Sequence, residues 1–239
     1  MPLVSQTLYG ETMPSISENI STVRAQIAKA AQDFDRPLDS VHLLAVSKTQ
    51  SPEKLEQAYA AGQREFGENY VQEAVEKITT LKMPDLVWHF IGPIQSNKTA
   101  TIAAHFDWVH SIDRLKVAQR LSAHRASAMG RLKVCIQVNL SNEQSKSGVT
   151  LEEVLPLCEQ IEALPHLELR GLMAIPAPCE SEQEQRQAFR PLSLLFKELQ
   201  AIYPHMDTLS IGMSADFAAA IAEGSTMVRV GSAIFGARH

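Results

Sequence analysis

The sequence predicts an α/β protein: a single closed (β/α)8 TIM barrel with an extra helix ahead of its first strand. Three observations carry the prediction. Apolar runs of strand length recur eight times, and most are followed by a run with helical spacing. The 239 residues suit one such barrel, and no stretch rich in Pro, Gly or Ser divides them. The turn after the first strand, Ser47-Lys48-Thr49-Gln50, has no glycine, whereas an open doubly wound sheet generally carries a Gly-rich turn there. The organisation expected is a disordered or frayed N-terminus over residues 1–14 and one barrel domain over 15–239.

The elements follow in order. Residues 1–13 mix polar and apolar types without a period, which predicts fraying. Ser15 and Glu18 form a capping box, and Ile20, Val23, Ile27 and Ala31 then recur at helical spacing, giving the extra helix. Residues 41–46 read as a buried first strand. Ser51, Pro52 and Glu53 supply N-cap, N1 and first-turn acid for a helix that ends near Gly62. Residues 65–69 make a short second strand, with a helix from Tyr70, and 86–91 make the third strand. The fourth strand is 108–112, with a helix from Asp113. The fifth, 132–140, is the clearest, with Val134, Ile136 and Val138 on one face. A helix over 151–164, a sixth strand over 167–175 and a long helix over 182–203 follow. The seventh strand is 208–211, a short helix spans 214–222 and ends at Gly224, and the eighth strand is 227–230.

A formal net charge of −5 argues against nucleic acid or a membrane surface as a partner. No basic start precedes an apolar run, and no apolar stretch is long enough to span a bilayer. The three cysteines, Cys135, Cys158 and Cys179, show no CxxC spacing and fit a reducing compartment, so a cytoplasmic location is expected. The eight histidines are scattered, without the HxxxH or HExxH pairs that a helix uses to hold zinc.

Chemistry on this fold sits at the C-terminal ends of the strands. The first strand closes on Lys48. An ammonium at the barrel mouth is partly desolvated, which lowers its pKa and frees the amine to attack an aldehyde. On position alone the ordinary reading takes precedence, an ammonium that snorkels to water or pairs with a carboxylate. The second strand ends in Asn69, which has donors and an acceptor for a phenolic oxygen or a carbonyl, or else caps the helix after it. His89, on the third strand, reads as a packed, hydrogen-bonded strand residue rather than an acid or base.

The strongest local signal lies in the last two strands. Ser210-Ile211-Gly212-Met213-Ser214 leads into a short helix, and Arg229-Val230-Gly231-Ser232 ends the eighth strand. Turns at these two strand ends commonly hold a phosphate, through backbone N–H groups, a helix N-terminus and glycines that admit close approach. Ser210, Ser214 and Ser232 add hydroxyl donors. The competing reading makes Ser214 a helix cap and the glycines simple turns. Arg229, inside an apolar strand, needs a partner: an ion pair by default, or a ring nitrogen or anion at the mouth. Together these parts describe a ligand with an aldehyde at one end and a phosphate at the other. Pyridoxal 5′-phosphate fits, and so does a phosphosugar in a Schiff-base aldolase or isomerase.

The chain resembles the pyridoxal phosphate homeostasis family, the proline synthetase co-transcribed homologues, which look like the N-terminal barrel of alanine racemase standing alone. The motifs are Leu44-Ala45-Val46-Ser47-Lys48, Phe66-Gly67-Glu68-Asn69-Tyr70, Trp88-His89-Phe90-Ile91-Gly92, Arg170-Gly171-Leu172-Met173, Leu209-Ser210-Ile211-Gly212-Met213-Ser214 and Val228-Arg229-Val230-Gly231, running on to Phe235-Gly236. They occur in the right order over nearly the whole chain.

The resemblance implies pyridoxal phosphate held as a Schiff base on Lys48. Ser214 and the backbone around Gly231 and Ser232 would take its phosphate. Arg229 would face the pyridine nitrogen, and Asn69 and Met173 would line the ring. Alanine racemase also has a second, β-rich domain that supplies a tyrosine base, and the sequence is expected to lack it. Racemisation needs two bases on opposite faces of the substrate carbon, and His89 is the nearest candidate for the second. The resemblance therefore implies that the protein carries or buffers pyridoxal phosphate, with apo-enzymes that depend on the cofactor as acceptors and with indirect effects on amino-acid metabolism. A monomer is expected, because the missing domain builds the racemase dimer. The alternative is a racemase-like enzyme acting on amino acids with the same cofactor.

Overall fold

The computed structural model describes residues 14–141 and 147–236. The N-terminal segment expected to fray lies outside the described residues as far as residue 13. Eight parallel strands close into a barrel in chain order: β1 (His42–Val46), β2 (Glu65–Glu68), β3 (Val87–Phe90), β4 (Trp108–Ile112), β5 (Leu132–Val138), β6 (Leu167–Ala174), β7 (Thr208–Met213) and β8 (Met227–Val230). Closure is made where His42 to Ala45 pair with Met227 to Val230. The predicted barrel and its extra helix are both present.

Helices ring the barrel: α1 (Ile16–Asp33), α2 (Pro52–Ala60), α3 (Val71–Thr80), α4 (Thr99–His105), α5 (Leu115–His124), α6 (Leu151–Glu162), α7 (Glu182–Ile202), α8 (Phe217–Ala222) and α9 (Ser232–Phe235). Ser15 and Glu18 make the capping box at α1, and Ser181 with Glu184 makes another at α7. Two helices, α4 and α9, were not predicted. At seven and four residues they are too short to display a helical period. The helix expected from Ser214 begins instead at Phe217. β7 runs on to Met213, and the Asp216 carboxylate at the N-cap position accepts the Met213 N–H at 2.6 Å. Ser214 therefore lies in the turn and does not cap the helix.

Alternation along each strand separates two cores. One set of side chains faces outward and packs under the helices, as Val109, Val228 and Val230 do. The other fills the barrel. Leu44, Ile91 and Met227 form one interior cluster, and Trp108, Cys135 and Met173 form another. Between them the interior is polar: His89, His110 and Ser210 are fully buried, and Arg229 is 4% exposed.

Candidate functional site

A cavity of about 280 Å³ opens at the C-terminal ends of the strands. Lys48 and Gln50 reach it from the turn after β1, Asn69 from the end of β2, and Arg229 from β8. Ser214 and Ala215, after β7, and Gly231 and Ser232, after β8, complete its polar side. Val46, Ile91, Ile175 and Met213 form the apolar side. The two ionisable residues in this lining, Lys48 and Arg229, are both basic, in a chain whose net charge is −5. Basic side chains at a cavity mouth suit an anionic ligand.

The turn that carries Lys48 is closed by the Gln50 N–H donating to the Ser47 carbonyl at 3.0 Å. Thr49 within it has φ 62°, a left-handed conformation costly for a β-branched residue. Asn69 does not cap α3, because Tyr70 occupies that position. The Asn69 Oδ1 is buried and has no hydrogen-bond partner among the described residues. Such an atom asks for a donor.

Arg229 forms the floor. Its Nη1 donates to the carbonyl and, at 2.9 Å, to the Oγ of Ser210, while Nη2 donates to the Ala174 carbonyl at 2.9 Å. Among the described residues, no carboxylate is a hydrogen-bond partner of Arg229. Burial pulls the guanidinium down to about 10, which is still charged at neutral pH. Beneath it runs a chain of polar groups. Ser210 Oγ lies 2.9 Å from His110 Nδ1, and His110 Nε2 lies 2.9 Å from His89 Nδ1. The His89 ring stacks on Trp108 at 5.3 Å between centroids. Burial lowers both imidazoles, His110 to about 3 with Arg229 adding to the effect, and His89 well below its ordinary value. Both rings are neutral at physiological pH.

At the other end, the Ser214 and Ser232 hydroxyls stand 3.5 Å apart. Ser232 begins the first turn of α9, where backbone N–H groups lack partners within the helix. A Cβ at Gly231 would sit 3.1 Å from the Val46 carbonyl oxygen, so the backbone passes closer to β1 than an ordinary side chain allows.

Of the nine residues expected at a site, six line this cavity: Lys48, Asn69, Ser214, Arg229, Gly231 and Ser232. Three are placed elsewhere. Met173 is fully buried against Trp108 and Cys135 in the barrel interior, below the cavity lining. Ser210 is also fully buried, and it holds Arg229 and His110. Gly212, at φ 94°, lets α8 pack on β7, since a Cβ there would meet the Ala220 Cβ at 2.7 Å. The lining residues that sequence reading missed include Gln50, Ile91, Ile175 and Met213. Ile175 follows Met173 by two residues, so strand alternation places it on the same face as the residue that the resemblance implied. His110 was missed in the same way, two residues after Trp108 on a strand buried throughout.

Pyridoxal phosphate needs an amine for its aldehyde, a group facing the ring nitrogen, a hydrogen bond near its phenolic oxygen and donors for its phosphate. Lys48, Arg229, the Asn69 side chain with its Nδ2 donor, and the paired serines meet those needs in type and grouping. The residues present fit the group.

The model of the alanine racemase N-terminal domain matches residues 18–239. The chain is 54% identical over 230 residues to the pyridoxal phosphate homeostasis protein of Vibrio alginolyticus, covering 95% of this chain and 99% of that protein. It is 51% identical over 229 residues to the protein of the same name from Escherichia coli K12, covering 95% and 98%. Among solved structures it is similar to PipY of Synechococcus elongatus with PLP bound, at TM-score 0.80 and 36% identity over 93% of this chain and all of that one. An alanine racemase from Corynebacterium glutamicum, 20% identical, matches at TM-score 0.66 over 93% of this chain and 61% of the racemase, a likeness of fold alone.

Proposed function

The chain belongs to the pyridoxal phosphate homeostasis proteins, within the alanine racemase N-terminal domain family, and on that premise we propose that it holds pyridoxal phosphate as a Schiff base on Lys48 and carries or buffers it for other proteins. The observation that carries the reading is the single cavity that gathers Lys48, Asn69, Arg229, Ser214, Gly231 and Ser232 from four strand ends. Lys48 would hold the cofactor through its amine, in a linkage that releases water when it forms and that water or an acceptor's amine can reverse. Ser214, Ser232 and the first turn of α9 would hold the phosphate, and Asn69 would meet the phenolic edge. Bound pyridoxal phosphate supplies a ring that can withdraw electrons. Arg229, charged and bonded to Ser210 and Ala174, would disfavour a proton on the ring nitrogen and so weaken that withdrawal.

Delivery rather than turnover is supported by the placement of His89, the candidate second base. It is fully buried, bonded to His110, and outside the cavity lining. A base that cannot reach substrate cannot take a proton from its carbon. No helix among the described residues is long and apolar enough to cross a membrane. We take the protein to act in the cytosol as a monomer, on one barrel domain spanning residues 15–239, with cofactor-dependent apo-enzymes as acceptors and effects on amino-acid metabolism that follow from supply.

The test is the visible spectrum of purified protein mixed with pyridoxal phosphate, before and after borohydride. The expected result is a band that borohydride removes, a label found on Lys48 by mass spectrometry, and loss of both in Lys48→Ala. Wild-type protein that takes no label on Lys48 overturns the reading. Transfer to an apo-enzyme then separates carrier from enzyme, and exchange of solvent deuterium into an amino acid's α-carbon would mark turnover.

A further inference from the structure

Beside the cavity, a cluster of charged groups is buried without lining it. Lys77, on α3, is 4% exposed and Glu68, at the end of β2, is 0% exposed. The three N–H donors of Lys77 each meet an acceptor: the Ser47 carbonyl at 2.7 Å, Glu68 Oε1 at 2.8 Å and Glu73 Oε1 at 2.5 Å. Ser47 Oγ donates to the same Glu68 oxygen at 2.7 Å, and the Thr49 N–H donates to Glu73 Oε1 at 2.6 Å. Ser47 and Thr49 are the two neighbours of Lys48 in the chain. The backbone on both sides of that lysine is therefore tied, directly or through one carboxylate, to a single ammonium.

Two features set this cluster apart from a general stabilising ion pair. Burying an ammonium with a carboxylate carries a desolvation penalty that hydrophobic residues of the same size avoid, so stability alone does not explain it. The Glu68 carboxyl also keeps one oxygen, Oε2, buried without a partner among the described residues. What the arrangement does secure is the turn. Thr49 at φ 62° holds a conformation that persists only where its surroundings impose it, and its N–H is fixed by Glu73.

We propose that Lys77 is the positioning residue for Lys48. It pins the Ser47 carbonyl directly and Thr49 through Glu73, so that the turn presents the Lys48 amine to the cavity in one orientation. The proposal rests on the assignment of Lys48 above. Without the brace, the turn relaxes from its left-handed residue and the amine spends less time aimed at an aldehyde. A reacting group misplaced by about 1 Å loses up to about a hundredfold in rate.

Two full-length variants test it. Glu68→Gln/Lys77→Met removes the ammonium without stranding a buried carboxylate. Glu73→Ala, at a partly exposed position, removes the acceptor of Thr49 and leaves the Lys77–Glu68 pair. The first readout is amide hydrogen exchange at Thr49 and Gln50 in protein without pyridoxal phosphate. The second is the rate at which added pyridoxal phosphate becomes trappable by borohydride on Lys48. Faster exchange together with trapping slowed about tenfold or more, in variants that still melt cooperatively, supports the proposal. Unchanged exchange in a folded variant overturns the brace, and faster exchange with an unchanged trapping rate overturns the positioning role. Should the double variant fail to fold, Glu73→Ala still tests the Thr49 arm of the brace, and faster exchange there with an unchanged trapping rate overturns the proposal. If wild-type protein is not trapped on Lys48, the assignment of that lysine fails by itself, and the exchange arm still tests the brace.

Discussion

Arg229 is a buried cation whose hydrogen-bond partners are two carbonyls and a hydroxyl, none of them charged. The Asp216 carboxylate lies near enough to favour its charge without bonding to it, so the guanidinium still faces whatever enters the cavity above it. Replacing it, as in Arg229→Met, removes the cation from the floor and leaves Lys48 as the remaining ionisable lining residue. A charge-assisted hydrogen bond contributes about 1.5–3 kcal/mol, so pyridoxal phosphate should bind roughly tenfold or more weakly. The visible band should also move, because the ring nitrogen no longer faces a cation. Equilibrium dialysis and an absorbance titration measure both, and unchanged retention with an unchanged band would remove Arg229 from the site. At this scale the sequence was legible wherever a residue type was unusual for its position: a lysine closing an apolar strand, an arginine within one. It was not legible where the question was depth. Met173 and Ser210 lie on the inward faces of their strands, but the interior is filled to a level above them, and no local pattern states how high the packing reaches. Lys77 left a fainter trace. It occupies the position between Ala74 and Leu81 in the buried stripe of α3, where an apolar residue is the ordinary choice.

α9 has only four residues, yet it carries Ser232 to the cavity and packs against α1. Its carbonyls are held from outside: Asn19 Nδ2 donates to Ile234 O at 2.9 Å, and Lys54 Nζ donates to Phe235 O at 3.2 Å. So short a helix has no stability of its own, and tertiary contacts set its position. Asn19→Ala should therefore cost about 1 kcal/mol of stability through the lost hydrogen bond. It should also weaken retention of pyridoxal phosphate or of inorganic phosphate a few-fold, although Asn19 does not line the cavity. Chemical denaturation and a binding titration check the two effects. Stability lost with retention intact would mean that Lys54 and the buried Ile234 and Phe235 fix α9 without Asn19. This also explains why elements differed in legibility. α1 and α7 advertise themselves by capping boxes and long apolar stripes. α4 and α9 form because neighbouring elements hold them, and that information lies far along the chain.

At the scale of the whole molecule, the alternation of strands and helices made the barrel readable, while the polar seam across its interior was not. Arg229 on β8, Ser210 on β7, His110 on β4 and His89 on β3 form one hydrogen-bonded line, and each is buried. Arginine has donors alone, so Ser210 Oγ accepts from Arg229, and the line continues through His110 to His89, whose Nε2 has no partner among the described residues. Burial keeps both rings neutral. Acid should break this arrangement. Unfolded, His110 takes up a proton near 6.5, while folded it does so only near 3, because burial and Arg229 oppose the charge. Between those values the unfolded chain binds more protons, so stability falls as pH drops through that window. For His110 alone the loss approaches about 3 kcal/mol by pH 4, and the lowered His89 adds in the same direction. His110→Gln keeps a donor and an acceptor but cannot take the proton. Its stability, measured by denaturation between pH 7 and 4, should fall along a shallower slope than that of the wild type, whatever its value at pH 7. Equal slopes would mean that the seam opens to water and protonates while the barrel stays folded.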